Sequence, residues 1–134
     1  MRTAVQSISE RKPARRSMQG TILVVDDEPA LRAFVTYVLA QEGYSVLSAS
    51  NAEEALVLAA NRGASIQVLL TDVEMPGIGG LALVGKLSRM LPQVRPIFMS
   101  GSLSVEPEVD TPFLHKPFQV RDLLQTVQSR IAGC

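Results

Sequence analysis

Five residues in this chain have the types that handle a phosphoryl group, and each closes an apolar run. Asp26 and Asp27 follow "TILVV" (21–25), and Asp72 follows "IQVLLT" (66–71). Ser100 ends "IFMS" (97–100) and Lys116 ends "TPFLHK" (111–116). Three carboxylates gathered in one place repel, and their ionised forms need counter-charge. One ammonium supplies part of it. A hard divalent cation is the natural second supply, and Mg²⁺ suits a site of few carboxylates, several waters and phosphate oxygens. A carboxylate can itself be the nucleophile and become an aspartyl-phosphate. Metal, ammonium and hydroxyl would then each meet a phosphoryl oxygen as negative charge spreads there. Taken singly, each residue has a plainer role. "DDE" before a helix can be a cap with dipole-favoured acids, Asp72 can cap a turn, and Ser100-Gly101 is an ordinary strand end. The elements that carry these residues therefore decide.

The chain alternates strands with helices. "TILVV" is a short β-rich run. "PALRAFVTYVLAQE" (29–42) sets Leu31, Phe34, Val35, Val38 and Leu39 at helical spacing, with Pro29 suited to the first turn and Gly43 to the position past the end. "YSVLSA" (44–49) is a second strand. "NAEEALVLAANRG" (51–63) is a helix with Asn51 as cap and Gly63 as stop. After the third strand (66–71), Leu81, Val84, Leu87 and Leu91 mark a helix. Pro92 and Pro96 then bracket a turn before the fourth strand. The fifth strand (111–116) precedes a helix at 119–132 that gathers Val120, Leu123, Leu124, Val127 and Ile131 on one face. This pattern predicts an α/β domain, a doubly wound five-stranded parallel sheet in the flavodoxin-like order 2-1-3-4-5. Its strands are continuously apolar, as a sheet covered on both faces requires. Ligands collect at the carboxyl ends of such strands. Strands 1 and 3 are neighbours in this order, so Asp26, Asp27 and Asp72 should meet, with Ser100 and Lys116 arriving from the other side.

The totals bound the rest. At 134 residues the chain has room for one core. No apolar run approaches the ~20 residues of a membrane span, and the N-terminus lacks the apolar stretch of a secretory signal, so the expected location is cytoplasmic with no membrane partner. Cys134 is the lone cysteine and cannot form an internal disulfide. The zero net charge hides an asymmetry: residues 1–20 carry five basic residues against Glu10, leaving eight basic and twelve acidic in 21–134. Residues 1–19 are read as a disordered basic tail and 20–134 as the domain.

The motifs "ILVVDDEPALR", "LLTDVEMPGIGG", "IFMSG" and "LHKPF" resemble the receiver domain of two-component response regulators, and the likeness covers residues 20–132. The resemblance implies that Asp72 is the phosphoacceptor, taking a phosphoryl group from a histidine kinase or phosphotransfer protein. It implies that Asp27 binds Mg²⁺ directly, that Asp26 assists through water, and that Glu74 offers its backbone carbonyl. Ser100 would be the switch hydroxyl, Phe113 the switch aromatic, and Lys116 the partner of Asp72 or its phosphate. The Lys116-Pro117 bond is cis in the family, and His115 is a spacer. Such a domain is a phosphorelay signalling protein rather than an enzyme with an external substrate. It switches its contacts with a downstream protein, as a monomer or weak dimer.

The segment 101–112 is short and holds Pro107 and Pro112. The helix between strands 4 and 5, helix 4 of the family's order, is therefore expected to be shortened or absent. Partner binding would then fall to the helices at 29–42 or 119–132 together with that segment. No DNA-binding domain is evident, so the chain reads as a stand-alone regulator or a receiver excised from a hybrid kinase. The competing readings are a pseudo-receiver that is never phosphorylated, an FMN-binding flavodoxin and a haloacid-dehalogenase-type phosphatase. "DDEPA" is the wrong chemistry for a flavin phosphate loop, and Asp26 followed two on by Glu28 matches the phosphatase motif only loosely.

Overall fold

The computed structural model describes residues 20–101 and 111–132. The basic segment 1–19 and the crossover expected to be shortened (its residues 102–110) lie outside the described residues. Strands β1 (Thr21–Val25), β2 (Ser45–Ala49), β3 (Ile66–Asp72), β4 (Arg95–Ser100) and β5 (Phe113–His115) form one sheet in the order β2-β1-β3-β4-β5. All four pairings are parallel, as the alternating pattern predicts. Helices α1 (Pro29–Gln41), α2 (Ala52–Arg62), α3 (Gly80–Met90) and α4 (Val120–Ala132) connect or follow these strands.

Both faces of the sheet are covered, and successive strand residues serve opposite layers. Ile22, Val24, Val68, Leu70, Ile97 and Met99 pack with Val35, Val38 and Leu39 of α1 and Leu123 and Val127 of α4. Leu23, Val25, Ile66 and Leu69 pack with Ala52, Ala55 and Ala59 of α2 and Leu83 and Leu87 of α3. The central strands are buried at nearly every position, which explains why they read as unbroken apolar runs rather than alternating ones.

The helix ends follow local chemistry. Gly43 closes α1 at φ 100°. Its N–H donates to the Ala40 carbonyl and the Tyr44 N–H to the Leu39 carbonyl, a Schellman end that only a left-handed residue forms easily. That end takes Tyr44, so β2 starts one residue later than the apolar run. The Asn51 side chain accepts the Glu54 N–H at 2.7 Å and caps α2.

Some helix faces are narrower than spacing alone predicts. Phe34 is 42% exposed because it sits roughly 90° around the helix from the centre of the Val35–Val38–Leu39 stripe, at 100° per residue. Leu81 is 55% exposed and Leu83 takes the buried place, so the stripe of α3 runs through Gly80, Leu83 and Leu87. Val120 lies on the expected face but in the first turn, beyond the sheet's cover, and is 41% exposed. Pro96 does not bound a turn. It lies within β4, level with Leu69, in the first residues of the strand where a missing donor is tolerated. The fifth strand is three residues long instead of six, although the Phe98 N–H to Pro112 carbonyl and Lys116 N–H to Ser100 carbonyl bonds carry the pairing past both ends.

Two glycines of α3 differ sharply in surroundings. A β-carbon on Gly80 would collide with the Asp72 carbonyl and lie 2.9 Å from Val73 Cα. A β-carbon on Gly85 would meet nothing within 4 Å. Gly80→Ala is expected to destabilise by about 1–3 kcal/mol, because backbone must move. Gly85→Ala is expected to stabilise by about 0.5–1 kcal/mol, because it trades a flexible helix residue for the best helix former. Urea-unfolding midpoints of the two variants check both signs.

Candidate functional site

The parallel register brings the strand ends to one rim. Val25 of β1 lies level with Thr71 of β3, so Asp26 and Asp72 emerge as neighbours. Asp72 lies level with Met99 of β4, and Ser100 lies level with His115, which places Lys116 beside the same rim. Oxygens of Asp26, Asp27 and Asp72 lie within 4.8 Å of one another.

One ammonium joins the two buried acids. Lys116 Nζ donates to Asp26 Oδ2 and to Asp72 Oδ2, both at 2.9 Å. Asp26 is fully buried and Asp72 is 6% exposed. Their other oxygens are held by backbone. Asp26 Oδ1 accepts the Glu28 N–H and Asp72 Oδ1 accepts the Glu74 N–H, each at 2.9 Å. Asp27 differs: it is exposed, and among the described residues its carboxylate has no hydrogen bond or ion pair. The Lys116-Pro117 peptide is cis.

The electrostatics follow from this packing. Burial pushes the Asp72 carboxyl above its ordinary value, and the Lys116 ammonium and Glu74 N–H offset only part of that rise. Burial alone would lower the Lys116 ammonium, but its two carboxylate partners outweigh it and hold it above the ordinary lysine value. The stability that Asp72 contributes is present below its ordinary pKa and lost as pH rises through the raised one. That of Lys116 is present below the ordinary lysine pKa and lost only as alkaline pH passes its raised value.

Of the remaining predicted residues, Ser100 ends β4 at this edge, while Phe113 opens β5 level with Phe98, two residues short of it. Ser100 is fully buried, and its Oγ donates to Glu74 Oε1 over a long 3.4 Å. The ring of Phe113 meets that of His115 edge-on, with centroids 4.6 Å apart and planes at 70°, so His115 is a ring partner as well as a spacer. Spacing did not single out Arg32. Its Nη1 donates to the Asp26 carbonyl at 2.8 Å, a contact that turns on how α1 enters rather than on any sequence motif.

Three acids and one ammonium leave two negative charges at the rim. Hard oxygen donors, one of them with open lone pairs, fit a small divalent cation. The match to the response regulator receiver domain covers residues 22–128. The chain belongs to this family. Receiver domains are signalling modules of two-component systems. The structure of the receiver domain from the hybrid histidine kinase CckA is 37% identical, covers 84% of this chain and 99% of that one, and superimposes with a TM-score of 0.76. The sensor kinase CckA of Brucella abortus is 31% identical over 121 residues, 86% of this chain and 13% of that protein. The response regulator TrrA of Thermotoga maritima, solved in complex with Mg²⁺-BeF, is 29% identical, covers 83% of this chain and 98% of that one, and gives a TM-score of 0.74. The chain spans about half or less of the length of the first curated relatives it matches.

Removing the bridge exposes the cost of the two buried acids. Lys116→Met is expected to lose about 3–5 kcal/mol at pH 7. The loss relative to wild type should shrink towards pH 4, because the buried Asp72 carboxyl, whose pKa is raised, destabilises without its ammonium only as pH climbs through that value. Adding Asp72→Asn to Lys116→Met should recover part of the pH 7 loss. Chemical denaturation at both pH values reads all three outcomes.

Proposed function

We propose that Asp72 accepts a phosphoryl group from a phosphohistidine of a sensor histidine kinase or phosphotransfer protein. A carboxylate oxygen of Asp72 bonds to phosphorus as the phosphorus–nitrogen bond breaks, and the imidazole leaves with that electron pair. The observation that supports this most is the division of labour among the acids. Asp26 and Asp72 are clamped to one ammonium, while Asp27, within 4.8 Å of both, stays open.

Asp27 and Asp72 would hold Mg²⁺ directly, with Asp26 through water and the Glu74 backbone carbonyl beside them. The ion supplies charge to the phosphoryl oxygens when bound. Lys116 keeps its contact with the Asp72 side chain and offers its remaining donor to the new phosphate. The Ser100 hydroxyl exchanges the long bond to Glu74 for a phosphoryl oxygen, and Phe113 follows it as the switch aromatic. The change alters which downstream protein the domain engages. In this reading the domain works in the cytoplasm as a relay component, catalysing only its own phosphorylation and dephosphorylation. Likeness to the CckA receiver fits a place in a hybrid kinase as well as a stand-alone one.

Beryllofluoride with Mg²⁺, a mimic of the phosphoryl group, tests the reading. The wild-type chain should bind it, with spectral changes at Ser100, Phe113 and Lys116 by NMR. Asp72→Ala should not bind it, and Asp27→Ala should lose the Mg²⁺ requirement together with most of the affinity. Equal behaviour of wild type and Asp72→Ala would make the domain an interaction module that is never phosphorylated.

A further inference from the structure

Every polar group of Asp26 has a protein partner. Its N–H donates to the Ala49 carbonyl at 3.2 Å, continuing the pairing of β1 with β2. Its carboxylate accepts the Glu28 N–H and the Lys116 ammonium. Its carbonyl accepts Arg32 Nη1. That last bond comes from a side chain six residues on, at the end of the first turn of α1. Pro29 opens α1 without an N–H, and the Arg32 N–H goes to the Glu28 carbonyl. The chain leaves the sheet at Asp26, and Arg32 closes the gap between the last rung of the ladder and the first turn of the helix.

This contact acts on the next residue. The carbonyl of Asp26 and the nitrogen of Asp27 belong to one rigid peptide plane. Holding the carbonyl fixes that plane, and the plane sets where the Asp27 side chain leaves the backbone. Asp27 has no side-chain partner of its own among the described residues. Its aim into the pocket therefore depends on its backbone. We propose that Arg32 is a positioning residue for the metal pocket, acting through the Asp26–Asp27 peptide to aim the Asp27 carboxylate.

A purely electrostatic role for Arg32 has the opposite sign. A guanidinium near the rim repels a cation, so deleting a bystander charge would tighten Mg²⁺ binding. A positioning role predicts weaker binding when the charge is deleted. The two accounts are separated by the direction of the change.

The inference rests on the reading of the pocket as a Mg²⁺ site. The test is calorimetric titration of MgCl₂ into the full chain, with urea unfolding in metal-free buffer measured alongside. Arg32→Met should weaken Mg²⁺ binding about tenfold to a hundredfold, the range for losing a group that orients a ligand. Arg32→Lys, which keeps a donor, should recover most of that loss. Mg²⁺ binding by Arg32→Met as tight as wild type, or tighter, overturns the proposal. So does a loss that Arg32→Lys fails to recover while its metal-free stability matches wild type. If Arg32→Met does not fold, Arg32→Ala, which also removes the donor, replaces it with the same two outcomes. A wild-type chain that takes up no Mg²⁺ at all brings down the pocket reading, and this inference with it.

Discussion

A single ammonium shared by two buried carboxylates is the constraint around which this domain is arranged. Asp26 and Asp72 stand on adjacent strands with almost no access to water. Left alone, two such acids would not both stay ionised. Lys116 meets each at 2.9 Å, and it does so from a strand that pairs with neither β1 nor β3. Parallel strands end at one rim, so three separate segments deliver their charges to one place without any of them bending toward it. β4 lies between β3 and β5, and Ser100 at its end enters the same space. Taking these groups out of water is costly unless their hydrogen bonds are satisfied. The Glu28 and Glu74 N–H groups supply that satisfaction on the sides of the carboxylates away from Lys116.

The rim combines tightly and loosely held groups. Asp26 and Asp72 are fixed on several sides, while Asp27 is open to solvent. Groups of the first kind define where a ligand goes. A group of the second kind can take up a partner at little cost. The covered faces of the sheet keep this chemistry on a rigid base, since both layers are packed through to the strand ends.

The strand order and the meeting of the acids were legible in the sequence because two strong signals coincide. Continuous apolar runs mark buried parallel strands, and polar residues appear only where those runs stop. Phe34, Leu81 and Val120 show where the same reasoning fails. Apolar spacing locates a helical face to within a residue or two, but the width of the cover above it is set by the sheet and its neighbours. Pro96 shows a second limit: a proline can enter a strand where its missing donor is not needed, and the sequence does not say where that is. Arg32 shows a third. Nothing in its type or spacing distinguishes it from a solvated helix arginine, because its partner is a backbone carbonyl whose freedom depends on the turn between β1 and α1.

The segment after the acceptor strand has one more consequence. The Gly80 N–H donates to the Val73 carbonyl at 3.0 Å, and Gly80 lies so close to the backbone of residues 72 and 73 that no side chain fits between them. The stretch 74–79 is thus a loop with a tied neck. Its ends are held by the sheet and by α3, and closure entropy grows only slowly with the length between them. Glu74 is bound to the site through Asp72 and Ser100, but the stretch 75–79 beyond it can be exchanged or lengthened while the strand beneath keeps its place. The surface over the acceptor strand can therefore vary in length and composition from residue 75 onward without moving the backbone that carries Asp72.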